Sequence, residues 1–400
     1  MRIRPIRDLD VKGKRLLVRA DLNVPLEGHR VGDATRITRF AEGMKPLLAQ
    51  GARLVILTHL GRPKGQANPA FSVAPLVSAL SEALGVDVAF VPASTGPQAE
   101  AASKALTDGQ ALLCENVRFH PGEESNDPDL AAAFARLGDV YVNDAFSCAH
   151  RAHASTEAIA HLLPAHAGPL MMEELDALQS ALETPRRPSV AIVGGAKVSS
   201  KIALLENLAG KVDHLIIGGG MANTFLFADG QPVGRSLHEA DQIATIAAIR
   251  ARAQETGSIL HLPSDVVVGR EFRAGAAAET VPADACPEDA MILDAGPEAV
   301  AAFARVLDGA KTILWNGPLG AFEMPPFDAA TVALARKAAE LTRAGRCVSV
   351  AGGGDTVAAL NAAGVSGDFT YVSSAGGAFL EWLEGRTLPG VAALRQDEKV

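Results

Sequence analysis

Residues 193–202 read VGGAKVSSKI, an apolar run that ends in two glycines and then carries Lys197 and Lys201, one helical turn apart. Glycines at such a turn let backbone N–H groups approach an anion closely, and lysines neutralise phosphate charge. The stretch is not the Walker A pattern G-x-x-x-x-G-K-[ST], so it is a phosphate loop of another kind. Gly218-Gly219-Gly220 and Gly352-Gly353-Gly354 repeat the arrangement. Each of the three is expected to end a strand and open a helix. Tight strand–helix turns need glycine in any case, so the three together, rather than any one, point to a nucleotide or phosphate. Asp355 in GGGDT is either the N-cap of the following helix or an oxygen ligand for a nucleotide-bound Mg²⁺. The residues alone leave both readings open.

The first half carries a different chemistry. Arg36, His59, Arg62, Arg118 and Arg151 accompany Asp21 and Asn23, mostly in blocks that follow apolar runs: DLNVP, HLGRP and NVRFH. Arg36 falls in the first turn of a predicted helix, where the macrodipole disfavours a cation. A bound anion removes that conflict. One arginine alone reads as a surface ion pair; a group of basic side chains at strand ends reads as an anion site. HRAH (150–153) has chelating spacing but no third ligand nearby, so its histidines are expected to be solvated or to face phosphate.

These residues need a scaffold that gathers strand ends on one edge. Apolar runs at 15–20, 53–58, 111–116 and 139–144 predict strands in the first half. Runs at 189–194, 214–219, 259–264, 291–296, 312–317 and 347–352 predict strands in the second. Unbroken rather than alternating apolarity implies parallel strands covered on both faces. Helical periodicity fills the gaps. In 33–51 the residues Ile37, Phe40, Met44, Leu47 and Leu48 make one stripe, with Asp33 as N-cap and Gly51 as stop. The rhythm is βαβ, hence α/β, and ligands of such sheets bind outside the carboxyl ends of the strands.

A chain of 400 residues with 48% apolar content supports two domains, and 4% aromatics means that aliphatic packing fills their cores. Met171, Leu175, Leu178 and Leu182 stripe one helix, which PRRP (185–188) ends; it divides the domains. A net charge of −9 argues against non-specific nucleic-acid binding. Cys114, Cys148, Cys286 and Cys347 form no C-x-x-C pair, so neither zinc nor a disulfide framework is indicated. The N-terminus MRIRPIRDLD lacks the apolar stretch of a signal peptide, and no run is long enough to span a membrane. A cytoplasmic protein is expected.

The ordered blocks DLNVP, HLGRP, NVRFH, VNDAF…AHRAHAS, GGAKVSSK, GGGMANTF, WNGPLGAFE and GGGDT resemble the phosphoglycerate kinase family, from about Ile6 to LEGRTLPGV near the C-terminus. The resemblance implies an α/β protein of two doubly wound parallel-sheet domains facing each other across a cleft and joined by a helix. It implies a 3-phosphoglycerate or 1,3-bisphosphoglycerate domain at 1–170, to which about 380–400 returns. The joining helix is 171–185, and the ADP/ATP domain is 186–379. Asp21 and Asn23 are then expected at the glycerate end. His59, Arg62, Arg118 and Arg151 hold the non-transferred phosphate, and Arg36 faces the carboxyl or acyl phosphate. Lys201 touches the nucleotide phosphates, and Lys197 follows the moving group. Gly219, Gly220, Asn316 and Glu323 match nucleoside-site positions; Gly353, Gly354, Asp355 and Thr356 match the phosphate and Mg²⁺ turn. A monomer is the family expectation. Five residues at four places depart from the usual pattern. An acidic residue is common where Ser200 stands, and glycine-threonine where Ser147-Cys148 stands. Lysine is often found in place of Glu173, and glycine in place of Ala375.

An acyl phosphate and ADP exchange a phosphoryl group whose other acceptor is a carboxylate, ionised at neutral pH. No general base is required, and the blocks show no buried His or Asp to serve as one. The protein's part is positioning and charge stabilisation, with Arg36 and Lys197 neutralising the group in flight. Substrates on separate domains imply a cleft that closes. A dinucleotide dehydrogenase is disfavoured because no G-x-G-x-x-G opens a helix with an acidic residue about 20 positions on. A non-catalytic nucleotide-binding protein would be expected to lack Arg36, Lys197, Lys201 or Asp355, and all are present.

Overall fold

The structure is a computed structural model that describes residues 2–28 and 30–396. The chain forms two compact units. One runs up to Leu175 and regains the chain from Thr387; the other is Asp176–Arg386.

In the first unit, β1 (Arg15–Ala20), β2 (Arg53–Leu57), β3 (Val88–Val91), β4 (Ala111–Cys114), β5 (Val140–Asp144) and β6 (Ala165–Ala167) make a six-stranded sheet. Its order is β3-β4-β2-β1-β5-β6, and every pairing is parallel. All of β5 and five of the six residues of β1 are buried, as in a sheet covered on both faces. From β1 the chain moves to one side of the sheet and then, at β5, to the other. The reversal therefore lies between β1 and β5.

Helix α1 (Thr35–Ala49) buries Ile37, Phe40, Met44, Leu47 and Leu48, the predicted stripe. Its N-cap is Ala34, not Asp33. Asp33 still serves the helix start from one residue earlier, accepting the Thr35 N–H at 2.8 Å and its hydroxyl at 2.6 Å. Gly51, at φ +88°, donates to the Leu48 carbonyl and turns the chain away.

Helix α2 (Pro169–Leu178) begins on the Asp144 carboxylate, which accepts the Leu170 and Met171 N–H groups at 2.7 and 3.2 Å. The boundary between the units falls within this helix. The single helix expected over 171–185 gives way to a π-helical segment, Gln179–Glu183.

The second unit adds β7 (Ser189–Val193), β8 (His214–Ile217), β9 (Ile259–His261), β10 (Asp265–Gly269), β11 (Ala278–Pro282), β12 (Met291–Ala295), β13 (Thr312–Asn316), β14 (Val348–Gly352) and β15 (Tyr371–Ser373). Six of them form a second parallel sheet, ordered β9-β8-β7-β13-β14-β15. Its reversal lies between β7 and β13. Helices α3 (Ile202–Ala209), α4 (Gly219–Ala228), α5 (Ala329–Arg343) and α6 (Gly354–Ala362) follow strand ends or loops of this unit.

One predicted strand is corrected. The 291–296 run is β12, and it pairs antiparallel with β10 in a separate three-stranded sheet. The reason for the misreading is physical. Ile292 packs in a small cluster with Leu226, Val266 and Val281, while Leu293 packs in another with Phe327. Both faces are covered, so the run looks like a parallel strand.

Candidate functional site

In the first unit the predicted residues gather where β1, β2, β4 and β5 end. Arg36, in the first turn of α1, is half-buried; its Nη1 donates to Asp21 Oδ2 at 2.5 Å. The same oxygen takes the Ser147 hydroxyl at 2.5 Å. Asn23 is exposed, and its Oδ1 accepts the Gly61 N–H at 2.9 Å. This bond fastens the DLNVP turn to the HLGRP turn. Arg118 donates from Nη1 to the Gly61 carbonyl at 2.9 Å, and Glu124 lies 3.5 Å from its Nε. Arg62 and Arg151 are exposed.

Below them lies a buried layer that the sequence reading did not single out. Arg19, in β1, is fully buried. It donates to Ser155 Oγ at 2.8 Å, to the Ala20 carbonyl at 2.5 Å and to His59 Nδ1 at 3.1 Å. Ser155 in turn donates its hydroxyl to the buried carboxylate of Glu123 at 2.5 Å. Burial, then the charge of Arg19, pushes His59 well below the ordinary histidine range, so its ring is neutral. Because Arg19 can only donate, Nδ1 of His59 accepts, and Nε2 carries the ring proton.

Two expectations are corrected here. His153 of HRAH is buried rather than solvated, lies 3.9 Å from Glu123, and is driven by burial and then Arg19 to a pKa of about 4. Besides His153, the blocks also contain a buried histidine and a buried aspartate, His59 and Asp144. Neither is set up as a base: His59 is held by Arg19, and burial raises Asp144 to about 7 while it caps α2.

Among the described residues, Asp21, His59 and Cys148 offer donor atoms within 4.8 Å of one another. They make a poor metal site. Nδ1 of His59 and Oδ2 of Asp21 are already engaged by arginines, and the surrounding charge is positive. The edge suits an anion.

In the second unit, Lys201 stands where β7 and β13 end. Its Nζ donates to the Gly194 carbonyl at 2.8 Å and to Asn316 Oδ1 at 2.7 Å. Burial lowers its pKa to about 8, against a raising influence from Asp355. Asn316 is buried, and its Nδ2 donates to the Gly352 carbonyl at 2.8 Å, so one amide links the ends of β13 and β14 to the lysine. Thr356, also buried, accepts the Gly317 N–H at 2.7 Å. Gly353 has φ +100°, and a Cβ there would sit 2.8 Å from Asn316 Nδ2. A Cβ on Gly194 would come within 1.8 Å of the Pro318 carbonyl oxygen. Glycine is required at both places.

Lys197 is exposed on the loop between β7 and α3. Gly219 and Gly354 open helices as expected, but Gly194-Gly195 does not, because α3 begins only at Ile202. Ser200 shapes the intervening loop by donating its hydroxyl to the Lys197 carbonyl at 2.7 Å. Asp355 is not the N-cap of α6; Gly353 is, and Asp355 lies exposed in the first turn.

A cavity of about 590 Å³ opens beside this edge, within the size range of small-molecule sites. Gly195, Gly219, Gly220, Glu323 and Asp355 line it. So do Leu237 and Phe272, which are 52% and 61% exposed. Exposed apolar side chains at a cavity mouth suit a flat apolar ligand such as a nucleobase, and the sequence pass missed both.

A cationic strand edge on one doubly wound sheet, and a glycine-lined cavity beside another, mark an α/β protein of the class whose ligands bind outside the carboxyl ends of the strands. Comparison with known proteins makes this specific. The family model described as Phosphoglycerate kinase matches residues 6–386. The phosphoglycerate kinase of Ruegeria sp. (strain TM1040) is 61% identical over 97% of this chain and 98% of its own length. That of Cereibacter sphaeroides (strain ATCC 17025) is 60% identical over the same shares. The structure of phosphoglycerate kinase from Coxiella burnetii superposes with a TM-score of 0.92 at 43% identity, covering 98% of this chain and 99% of that one. The enzyme from Pyrococcus horikoshii OT3 gives 0.78 at 27% identity, covering 98% of each chain. The chain belongs to the phosphoglycerate kinase family.

Proposed function

We propose that the first unit binds 3-phosphoglycerate or 1,3-bisphosphoglycerate at its cationic edge, and that the second binds Mg-ADP or Mg-ATP in its glycine-lined cavity. As a member of its family the chain is a glycolytic phosphotransferase with a carboxyl group as acceptor. The observation that carries the division of roles is the position of Arg36 and Lys201. Each cation stands beside the strand pair at which its sheet's order reverses, the place where open α/β sheets take ligands.

In this reading Asp21 and Asn23 hold the glycerate end, and Arg36 meets the carboxyl or acyl phosphate. Arg62, Arg118 and Arg151 bind the non-transferred phosphate, assisted by the Nε2–H of neutral His59. Gly219, Gly220, Asn316 and Glu323 serve the nucleoside. Lys201 turns from Asn316 to the nucleotide phosphates, and the exposed Lys197 neutralises the group in flight. Gly353, Gly354 and Thr356 form the phosphate turn. Asp355 fits Mg²⁺ carried by the nucleotide, since that ion commonly takes one or two carboxylates and completes its shell with phosphate and water. When bound, it neutralises phosphate charge. The protein's own contribution is orientation and fixed positive charge, because a carboxylate nucleophile needs no proton removed.

A coupled assay with 3-phosphoglycerate and Mg-ATP tests the reading. ADP formation that requires both substrates is expected; no turnover overturns it. We further propose a cytoplasmic monomer. Four buried, unpaired cysteines suit a reducing compartment, and no helix among the described residues is long and apolar enough to cross a membrane. Light scattering on the purified chain checks its mass in solution.

A further inference from the structure

Asp21 follows β1 and Ser147 follows β5, so the bond between them crosses the reversal point of the first sheet. Ser147 Oγ and Arg36 Nη1 both lie 2.5 Å from Asp21 Oδ2, and Oδ1 accepts the Asn23 N–H at 3.3 Å. The two donors on Oδ2 differ in kind. Arg36 is a long, half-buried side chain that can swing with its guanidinium. Ser147 is short and sits at the centre of a single 3-10 turn, Phe146–Cys148.

That turn is itself held. The Cys148 N–H donates to the Ala145 carbonyl at 3.0 Å, and the buried Asn143 accepts the Ala145 N–H at 3.1 Å. Gly390, in the segment that returns to this unit, donates its N–H to the Ala149 carbonyl at 2.9 Å. Asn143 Nδ2 donates back to the Gly390 carbonyl at 3.4 Å. The hydroxyl therefore projects from one of the more constrained points of the unit onto a carboxylate that also holds a catalytic arginine.

We propose that Ser147 is a positioning residue for 3-phosphoglycerate. It fixes the rotation of the Asp21 carboxylate and, through the shared oxygen, the resting place of the Arg36 guanidinium. The proposal rests on the assignment of Asp21 and Arg36 to the substrate made above. Ser147 itself touches no reacting atom. Its effect is on how well the site is prepared for the glycerate end, and none is expected at the nucleotide cavity of the other unit.

The test compares wild type, Ser147→Ala, Ser147→Thr, Asp21→Ala and the Asp21→Ala/Ser147→Ala double variant. Steady-state kinetics are measured for both substrates, with thermal melting of each protein. Ser147→Ala is expected to raise KM for 3-phosphoglycerate about 3- to 10-fold, the loss that removing one such hydrogen bond produces. KM for Mg-ATP should stay within about twofold and the melting temperature within about 2 °C. Ser147→Thr should restore most of the loss. In the Asp21→Ala background, which removes the acceptor, the Ser147→Ala effect should vanish, since neighbours sharing one interaction are not additive. An unchanged KM for 3-phosphoglycerate in active Ser147→Ala enzyme overturns this inference alone. So does an equal rise in both KM values with a lowered melting point, or full additivity with Asp21→Ala. Wild type without turnover overturns the functional reading itself.

Discussion

Lys201 Nζ lies 2.7 Å from Asn316 Oδ1, and both side chains converge where β7 and β13 part. The lysine's other donors go to the Gly194 carbonyl at 2.8 Å and the Asn316 carbonyl at 3.4 Å. All of these partners are neutral. The ammonium is held in place without being neutralised, which leaves its charge for an arriving phosphate and explains why burial can lower its pKa to about 8.

The first prediction concerns pH. In the proposed function a phosphate binds the charged lysine, so nucleotide affinity should weaken as pH rises through about 8, approaching tenfold per pH unit. Lys201→Arg should remove the break, because guanidinium stays charged. Unfolding through this group does not imitate the effect. Its folded pKa is below the ordinary 10.5, so between about 8 and 10.5 the unfolded chain holds more protons and the group's contribution to stability rises with pH. KM for Mg-ATP measured from pH 7 to 9.5 in wild type and Lys201→Arg checks this. Parallel profiles would refute it.

Arg36→Ala and Lys197→Ala should each lower kcat by about 10²–10³, the usual loss on removing one preorganised donor from a developing charge. Neither side chain is buried in a core, so melting should shift little. Near-normal kcat in either folded variant would remove that residue from the chemistry.

The sequence showed the site's residue types but not its depth. Arg36, Arg62, Arg118 and Lys201 could be placed at strand ends because apolar runs mark strands and parallel sheets collect ligands at one edge. Arg19 was invisible for the opposite reason. It lies inside RLLVRA, where a lone cation reads as a solvated position, yet it is fully buried against Ser155 and His59. The bond between Ser147 and Asp21 joins residues 126 positions apart, and no local pattern encodes it. The one-turn spacing of Lys197 and Lys201 does not separate them, and only the family resemblance gave them different roles; in the fold one is exposed and the other half-buried. The pairing of β12 was likewise hidden, since apolarity reports covered faces and not the partner strand.

Glu123→Ala should cost about 3–5 kcal/mol of stability, because it strips the buried carboxylate that Ser155 links to Arg19 and leaves a buried cation uncompensated. Glu123→Gln should cost less, since the amide oxygen can still accept from Ser155. Urea unfolding of the three proteins measures both losses. Equal stability of Glu123→Ala and wild type would show that the Arg19 charge is balanced elsewhere.

The last prediction follows the returning segment. Gly390 packs so closely on Ala149 that a Cβ would lie 3.0 Å from the Ala149 Cα. Leu388, Val391 and Leu394 around it are buried, so the segment cannot simply lift away. Gly390→Val must therefore push on the turn that carries Ser147. Overpacking of this kind typically costs about 1–3 kcal/mol, and the displaced turn should also loosen the hold on Asp21. A lowered melting temperature is expected together with a raised KM for 3-phosphoglycerate. KM for Mg-ATP should be unchanged, because the valine lies in the first unit. If Gly390→Val lowers the melting temperature but leaves KM for 3-phosphoglycerate at the wild-type value, the turn's position is not transmitted to the substrate site.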